Sequence, residues 1–347
     1  MKSTRDYTDK TVFVGIDVHK KTYSAAVVCD GVLVKRDTIQ AYPEKLLLYL
    51  QKYFSGAKIK SAYEAGFSGF GLHRFLLKHN IENIVVHAAS IEINARDKVK
   101  NDKRDAAKIA VQLSTNRLRG IYVPSPEMED NRELTRLRST YVKDRNRIAA
   151  RLKQKANYHG LIGPDDTVKV SSKWIEKIRK QEMMPGLKYA LNTLIEEWIR
   201  FNEKIKEISS MLKEQAKQNP EIEGVYTSAK GVGPTAARIL ANELGDMSQF
   251  SSEGQLFSYV GLTPSEYSSG ENTRKGHITK QGKPILRAVL VQCSWTAIRY
   301  DKSLRAVYER IAHRSGIKRA IVAVARRFIG RIRACFRTGE LYREQPT

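Results

Sequence analysis

The chain has 347 residues, 61 Lys and Arg against 37 Asp and Glu, a net charge of +24, and 41% hydrophobic side chains. That length supports two or three domains with sizeable cores, while the apolar content excludes a wholly disordered chain and the Gly and Pro counts exclude a fibrous one. An excess of positive charge on this scale makes a polyanion the first partner to consider, because Lys and Arg release the counterions held by phosphates.

From Thr11 to about Arg119 short β-rich runs alternate with helical stretches. Thr11–Val18, Tyr23–Cys29 and Val32–Ile39 read as three strands, with Asp30-Gly31 as a tight turn between the second and third. A helix over Pro43–Phe54, a strand over Ile59–Glu64, a helix over Gly69–His79, a strand over Asn83–His87 and a helix over Lys103–Leu118 follow. Three hairpin-like strands and then alternation predict a mixed sheet covered by helices. From Pro124 to about Asn219 no strand pattern remains, and Arg132–Lys155 reads as a basic helix. Beyond Pro185, the residues Leu187, Leu191, Leu194, Trp198, Phe201, Ile205, Ile208 and Leu212 alternate spacings of four and three. That is a heptad seam, which predicts a coiled coil or long helical hairpin without saying whose helix is the partner. From Glu221 onward the chain reads as helical, interrupted by the glycine-rich stretch Val260–Gly282. Residues 272–347 hold 18 positive and 4 negative side chains, so the charge is concentrated there as in a binding surface. The expected domains are 1–123, 124–220 and 221–347.

Cys29, Cys293 and Cys335 are too few and too scattered for a disulfide framework or a cysteine zinc site, and read as reduced packing residues. No apolar leader opens the chain and no window approaches a membrane span, so a soluble intracellular protein is expected.

Four acids stand at ends of predicted elements. Asp17 closes an otherwise apolar strand, Glu64 closes the fourth strand, and Asp102 and Asp105 open a helix on one face, three residues apart. Singly, each has a plain reading as a strand stop or a helix cap. Gathered, they would offer hard oxygen ligands to Mg²⁺, two ions of which can clamp both oxygens of a phosphodiester under attack. Lys100, Lys103 and Arg104, beside this helix, would draw the phosphate in. GIDVHK with Asp17, YEAGFSG with Glu64 and KNDKRDA with Asp102 and Asp105 resemble the DEDD-type insertion-sequence transposases. The resemblance implies an N-terminal domain like RNase H and the Holliday-junction resolvases, with these four residues as its acidic metal site.

In the C-terminal region, Gly231-Val-Gly233 before a helix starting near Pro234 has the look of a helix-hairpin-helix, whose backbone N–H groups suit a DNA phosphate; a simple packing unit is the alternative. The stretch Leu256–Leu286 mixes Ser268, Ser269 and glycines with Arg274, Lys275, His277, Lys280 and Lys283. Composition alone favours a basic, phosphate-gripping loop over a nucleophile, since a serine needs activation to attack phosphorus. GLTPSEYSSG followed by KGHITKQGKPILR, however, is similar to the C-terminal signature of the same transposases. By position, that signature implies Ser269 as the nucleophile that links to DNA, with Ser268 adjacent. Arg287 and, on a last amphipathic helix over about Ile317–Phe336, Arg326 and Arg327 complete the expected nucleic-acid contacts.

The fold expected is therefore an α/β RNase H-like domain, a long helical coiled-coil middle and a mostly α-helical C-terminal domain with a helix-hairpin-helix element. The resemblance implies an RNA-guided recombinase that exchanges strands through a phosphoserine-type link, with double-stranded donor and target DNA and a structured guide RNA as partners. It also implies a homodimer or tetramer, for which the heptad seam is a candidate device, and a cytoplasmic, nucleoid-associated location. A resolvase-like metal nuclease without a covalent intermediate, or a non-catalytic RNA-binding scaffold, are the rival readings.

Overall fold

A computed structural model describes residues 6–92, 102–163, 165–166, 169–269 and 272–344. Its strands β1 (Thr11–Val18), β2 (Thr22–Cys29), β3 (Val32–Gln40), β4 (Lys58–Glu64) and β5 (Glu82–Val86) form one sheet in the order β3-β2-β1-β4-β5. β1 runs antiparallel to β2 and β2 to β3, whereas β4 lies parallel to both β1 and β5. This mixed order is compatible with an RNase H-like domain.

Alternation along β1 explains the layers. Val12, Val14 and Ile16 face helices α1 (Pro43–Tyr53) and α2 (Gly71–Lys78), packing with Leu46, Leu50, Leu72 and Leu76. Burying each such side chain contributes about 1.5–3 kcal/mol. The opposite face is covered by α3 (Asp102–Ser114): Ala106, Ala107 and Ala110 pack on Ala26 and Val28, and Ile109 packs on Ala62 and Val86. Small residues on both surfaces let helix and sheet approach closely. β2 is buried along nearly its whole length as a central strand, while edge strand β3 carries Lys35, Arg36 and Asp37, charges that blunt an open edge.

The chain divides into two compact units, Met1–Pro124 and Ser125–Thr347. The second begins with α4 (Pro126–Tyr158), α5 (Ser172–Arg179) and α6 (Pro185–Gln218). Arg138 donates to Ser209, Arg145 to Asn202, and Gln215 to Asn131, so numbers rise on α4 as they fall on α6. The two long helices are thus an antiparallel hairpin. The heptad seam finds its partner within this chain: Leu191, with its off-seam neighbour Ile195, is buried with Ile148 and Leu152 of α4 and Trp174, Ile175 and Ile178 of α5, and Ile205, Ile208 and Leu212 are buried farther along. Leu194, Trp198 and Phe201 pack at its margin. Ser125 caps α4, its hydroxyl accepting from the Met128 N–H at 3.1 Å. Ser125→Ala should lower stability by about 1 kcal/mol, measured by chemical denaturation, through that lost bond.

Helices α7 (Pro220–Ser228), α8 (Pro234–Leu244), α9 (Glu253–Tyr259), α10 (Pro284–Tyr300), α11 (Lys302–Ser315) and α12 (Ile317–Thr338) enclose a core of Tyr226, Leu240, Leu244, Leu256, Leu290, Leu304, Val324, Phe328 and Ile332. Between α9 and α10 the stretch read from sequence as a glycine-rich loop is instead a β-hairpin, β6 (Pro264–Ser269) with β7 (Asn272–Ile278). Its strands are polar, which hid them from a search for apolar alternation. Asp301 closes this core, accepting from the Leu304 N–H at 2.9 Å, from Ser303, and from Tyr342 at 2.7 Å, and pairing with Arg331 at 3.0 Å. Among the described residues no helix is long and apolar enough to cross a membrane. The three cysteines are free thiols, and burial pushes Cys293 up to about 11.

Candidate functional site

The acidic site grows from strand register. β1 and β4 pair in parallel with Ile16 opposite Tyr63, so the next residues, Asp17 and Glu64, stand side by side at the carboxyl ends of neighbouring strands. Side chains alternate along a strand, which puts Asp17 on the same face as Gly15, and Glu64 on the same face as Ala62. That face is the one α3 covers. A Cβ on Gly15 would lie 2.1 Å from the Ala106 carbonyl oxygen and 2.4 Å from the Ala110 nitrogen. The absent side chain is therefore what lets α3, with Asp105 next to Ala106, lie against the strand that carries Asp17. Sequence reasoning passed over Gly15; the available signal was a glycine inside an apolar strand, two residues before an acid.

The Asp17 carboxylate meets Nε2 of His19 at 3.0 Å, another residue not singled out beforehand, and Asp105 meets Lys108 at 3.4 Å. Glu64 is exposed. The Asp102 side chain, like that of Lys103 and the whole of Lys100, lies outside the described residues. Among the described residues no group of three or more Asp, Glu, His or Cys could hold a metal ion. The donor chemistry present, adjacent carboxylates with cations nearby, suits a hard divalent cation. Arg104 is exposed on the first turn of α3.

The second site is the β6–β7 hairpin. Ser269 ends β6 and pairs with Asn272, with Ser268 paired to Thr273 and Tyr267 to Arg274. Residues 270–271 and the side chains of Ser268, Ser269, Arg274 and Lys275 lie outside the described residues. His277 and Lys280 are exposed near the base of the hairpin.

Other expected phosphate contacts have different partners. Lys283 sits 3.1 Å from Glu243, a fully buried carboxylate in α8, which also takes two hydrogen bonds from Arg136 of α4 at 2.9 and 3.3 Å. Arg132 reaches the same group at 3.6 Å. Lys283 is thus held in an ion cluster. Gly231, at φ +110°, would place a Cβ 2.7 Å from the Cys293 carbonyl oxygen, so its identity follows from contact with α10. Gly233 begins α8 with open space around it. Arg287 is half-buried, Arg326 stacks 4.5 Å over the Phe257 ring, and Arg327 is exposed.

Two family models match in chain order. One, a transposase model of the DEDD IS110 type, covers residues 14–157; the other, described as the transposase IS116/IS110/IS902 family, covers residues 225–309. A putative transposase of Sinorhizobium fredii is 28% identical over 300 residues, 85% of this chain and 73% of the relative. The transposase for insertion sequence element IS1111A of Coxiella burnetii is 28% identical over 258 residues, 70% of this chain and 68% of the relative. The first match contains all four acids and the second contains the β6–β7 hairpin. Together they make the chain a member of the IS110/IS116 family, a DNA transposase of an insertion sequence.

Proposed function

We propose that this transposase cuts and rejoins DNA strands through a covalent serine link made by the hairpin, with the acidic site holding divalent metal for the chemistry at phosphate. The observation that carries the reading is the in-register adjacency of Asp17 and Glu64 beneath α3, because carboxylates gathered at a strand end serve a metal and offer nothing to a pure phosphate binder. Asp17, Glu64, Asp102 and Asp105 would hold divalent metal, Mg²⁺ by the hardness of their oxygens, and the DEDD type of the matched family supports metal dependence. When bound, the ion supplies charge neutralisation at the phosphate.

Ser269 Oγ would attack phosphorus, forming a phosphoserine ester as the P–O bond to the 3′ oxygen breaks and that oxygen takes a proton. The bond energy is kept, and attack by a second strand's 3′ hydroxyl reverses the step on a new partner. Arg274, Lys275, His277 and Lys280, all on or beside the hairpin, would hold phosphate oxygens as charge develops. A structured guide RNA would supply sequence choice by base pairing while the protein reads backbone and shape, an arrangement known in other guided systems. Assembly as a dimer or tetramer would use surfaces other than the heptad seam, which packs within the chain.

Trapping on a denaturing gel tests the chemistry. Wild-type protein incubated with Mg²⁺ and DNA spanning an insertion junction should yield a covalent protein–DNA species, Ser269→Ala none, and Ser268→Ala should retain it. If wild type cuts without linking, or Ser269→Ala still cuts, water is the nucleophile and the nuclease reading replaces this one.

A further inference from the structure

The second unit contains a groove of about 1680 Å³ between α11 and α12 on one side and α9 and β7 on the other. Such a volume exceeds the ~300–1,000 Å³ of ordinary small-molecule sites, so a segment of polymer is the natural occupant. Its floor is apolar, with Leu262, Ile278, Val307 and Val322, and eight Lys and Arg line it against one carboxylate, Glu253. Arg331 is taken by Asp301. Arg310, Arg314, Lys318, Arg319 and Arg327 have no ion-pair partner among the described residues.

This charge is uncompensated among the described residues. Arg310 and Arg314 are four residues apart on α11, a like-charge spacing that weakens a helix. Lys318 and Arg319 sit in the first turn of α12, where no acid balances them and the helix dipole is already positive. A polyanion relieves both penalties. Duplex DNA would meet the rim but leave the apolar floor unused, because its bases face inward. A single strand can lay phosphates on the rim and turn bases onto the floor. The groove also reaches the base of the serine hairpin: Pro264 of β6 and Gly276, His277 and Ile278 of β7 line it, and Ser269 stands at the far end of β6.

We propose that this groove holds an unpaired DNA strand running to the base of the serine hairpin, with phosphates on Arg314, Lys318, Arg319 and Arg327 and bases against Val307 and Val322. The choice of DNA over RNA follows from the transposase activity, which must separate DNA strands to exchange them. The assignment of the occupant as the strand being cut rests on the serine reading above; the groove's preference for single strands does not.

Fluorescence anisotropy with the full-length protein tests it, using a 20-nucleotide oligo-dT, a 20-base-pair duplex and a 20-nucleotide oligo-U as probes. Arg314→Glu with Arg319→Glu should weaken oligo-dT binding about tenfold or more and duplex binding by a clearly smaller factor. The salt slope for oligo-dT should fall by about 1.4, at ~0.7 per phosphate contact on a single strand. Val322→Gln should weaken oligo-dT with its salt slope unchanged, since it removes a base contact and no phosphate contact. Arg305→Glu, on α11 outside the groove, should change nothing. Matching melting temperatures establish folding, and Arg314→Gln with Arg319→Gln replaces the charge reversal if that variant fails to fold. Equal losses for oligo-dT and duplex, no loss at all, or a preference for oligo-U over oligo-dT would each overturn the proposal. Absence of a covalent adduct alongside a retained oligo-dT effect would remove the serine chemistry and leave the groove standing.

Discussion

Gly15→Ala should destabilise the N-terminal unit by more than about 3 kcal/mol and reduce strand cleavage by about a hundredfold or more. The added methyl would meet backbone atoms, the Ala106 oxygen at 2.1 Å and the Ala110 nitrogen at 2.4 Å, so no side-chain rotation can relieve the contact. Overpacking a core costs ~1–3 kcal/mol where neighbours can shift, and the upper end or beyond applies when the neighbour is a helix backbone. For α3 to lift, Ala106, Ala107 and Ala110 must leave Ala26 and Val28, and Ile109 must leave Ala62 and Val86. Asp105 moves with that helix, and a displacement of ~1 Å at a reacting centre is enough for a 10²-fold loss. Gly71→Ala is the matched control, because its Cβ would meet nothing within 4 Å at the start of α2. The melting curve of the full chain and a Mg²⁺-dependent cleavage assay read the two effects. A Gly15→Ala protein that melts and cuts like wild type would mean that α3 does not hold the acidic site through this contact.

Gly15 also marks where the sequence stops being legible. The strands β1 to β5 were readable because each is a short β-branched or apolar run bounded by turn residues, and Asp17 and Glu64 were readable as acids that end such runs. That α3 rests on β1 closely enough to forbid a methyl is a fact of the tertiary structure, and no periodicity encodes it. The heptad seam behaved similarly. Its spacing predicted a helical partner correctly, while the identity of that partner depended on where α4 and α5 lay. The β6–β7 hairpin was missed for a different reason, since Ser, Glu, Thr, Arg and Lys dominate it and both strands lack an apolar face. The arginines of α12 look alike in sequence, yet Arg333 is buried and donates to the Phe250 carbonyl oxygen at 2.7 Å, Arg331 pairs with Asp301, and Arg327 faces solvent. Charge counts locate a basic region, and only packing sorts its members into struts and contacts.

Glu243→Ala should cost about 3–5 kcal/mol, the range for removing one partner from a buried ion cluster and leaving its cations unmatched. The carboxylate is 0% exposed and answers Arg132 from deep in the core, where Arg132 is 4% exposed, together with the partly exposed Arg136 and Lys283. Solvent partly screens the latter two, while Arg132, 3.6 Å from the carboxylate, keeps its hydrogen bonds to the Asn242 and Glu243 carbonyl oxygens at 2.9 and 3.0 Å, so the loss falls mainly on the hydrogen bonds from Arg136 and Lys283. Burial by itself would raise the Glu243 pKa, but the Arg136 hydrogen bonds and the Lys283 and Arg136 charges outweigh it and hold the group below the ordinary glutamate value of 4.5. A carboxyl depressed in the folded state stabilises the protein above its unfolded value, and that contribution disappears as pH falls through the folded one. Denaturation midpoints of wild type should therefore separate widely from those of Glu243→Gln at neutral pH and converge as the solution is taken below about pH 4.5. The effect should reach the serine hairpin as well. Lys283 bridges the end of β7 and the start of α10, so freeing it from Glu243 should speed amide exchange in β6 and β7 before the rest of the unit opens. A Glu243→Ala protein within about 1 kcal/mol of wild type, with unchanged exchange in the hairpin, would show that the cluster is not what fixes α4, α8 and the base of the hairpin to one another.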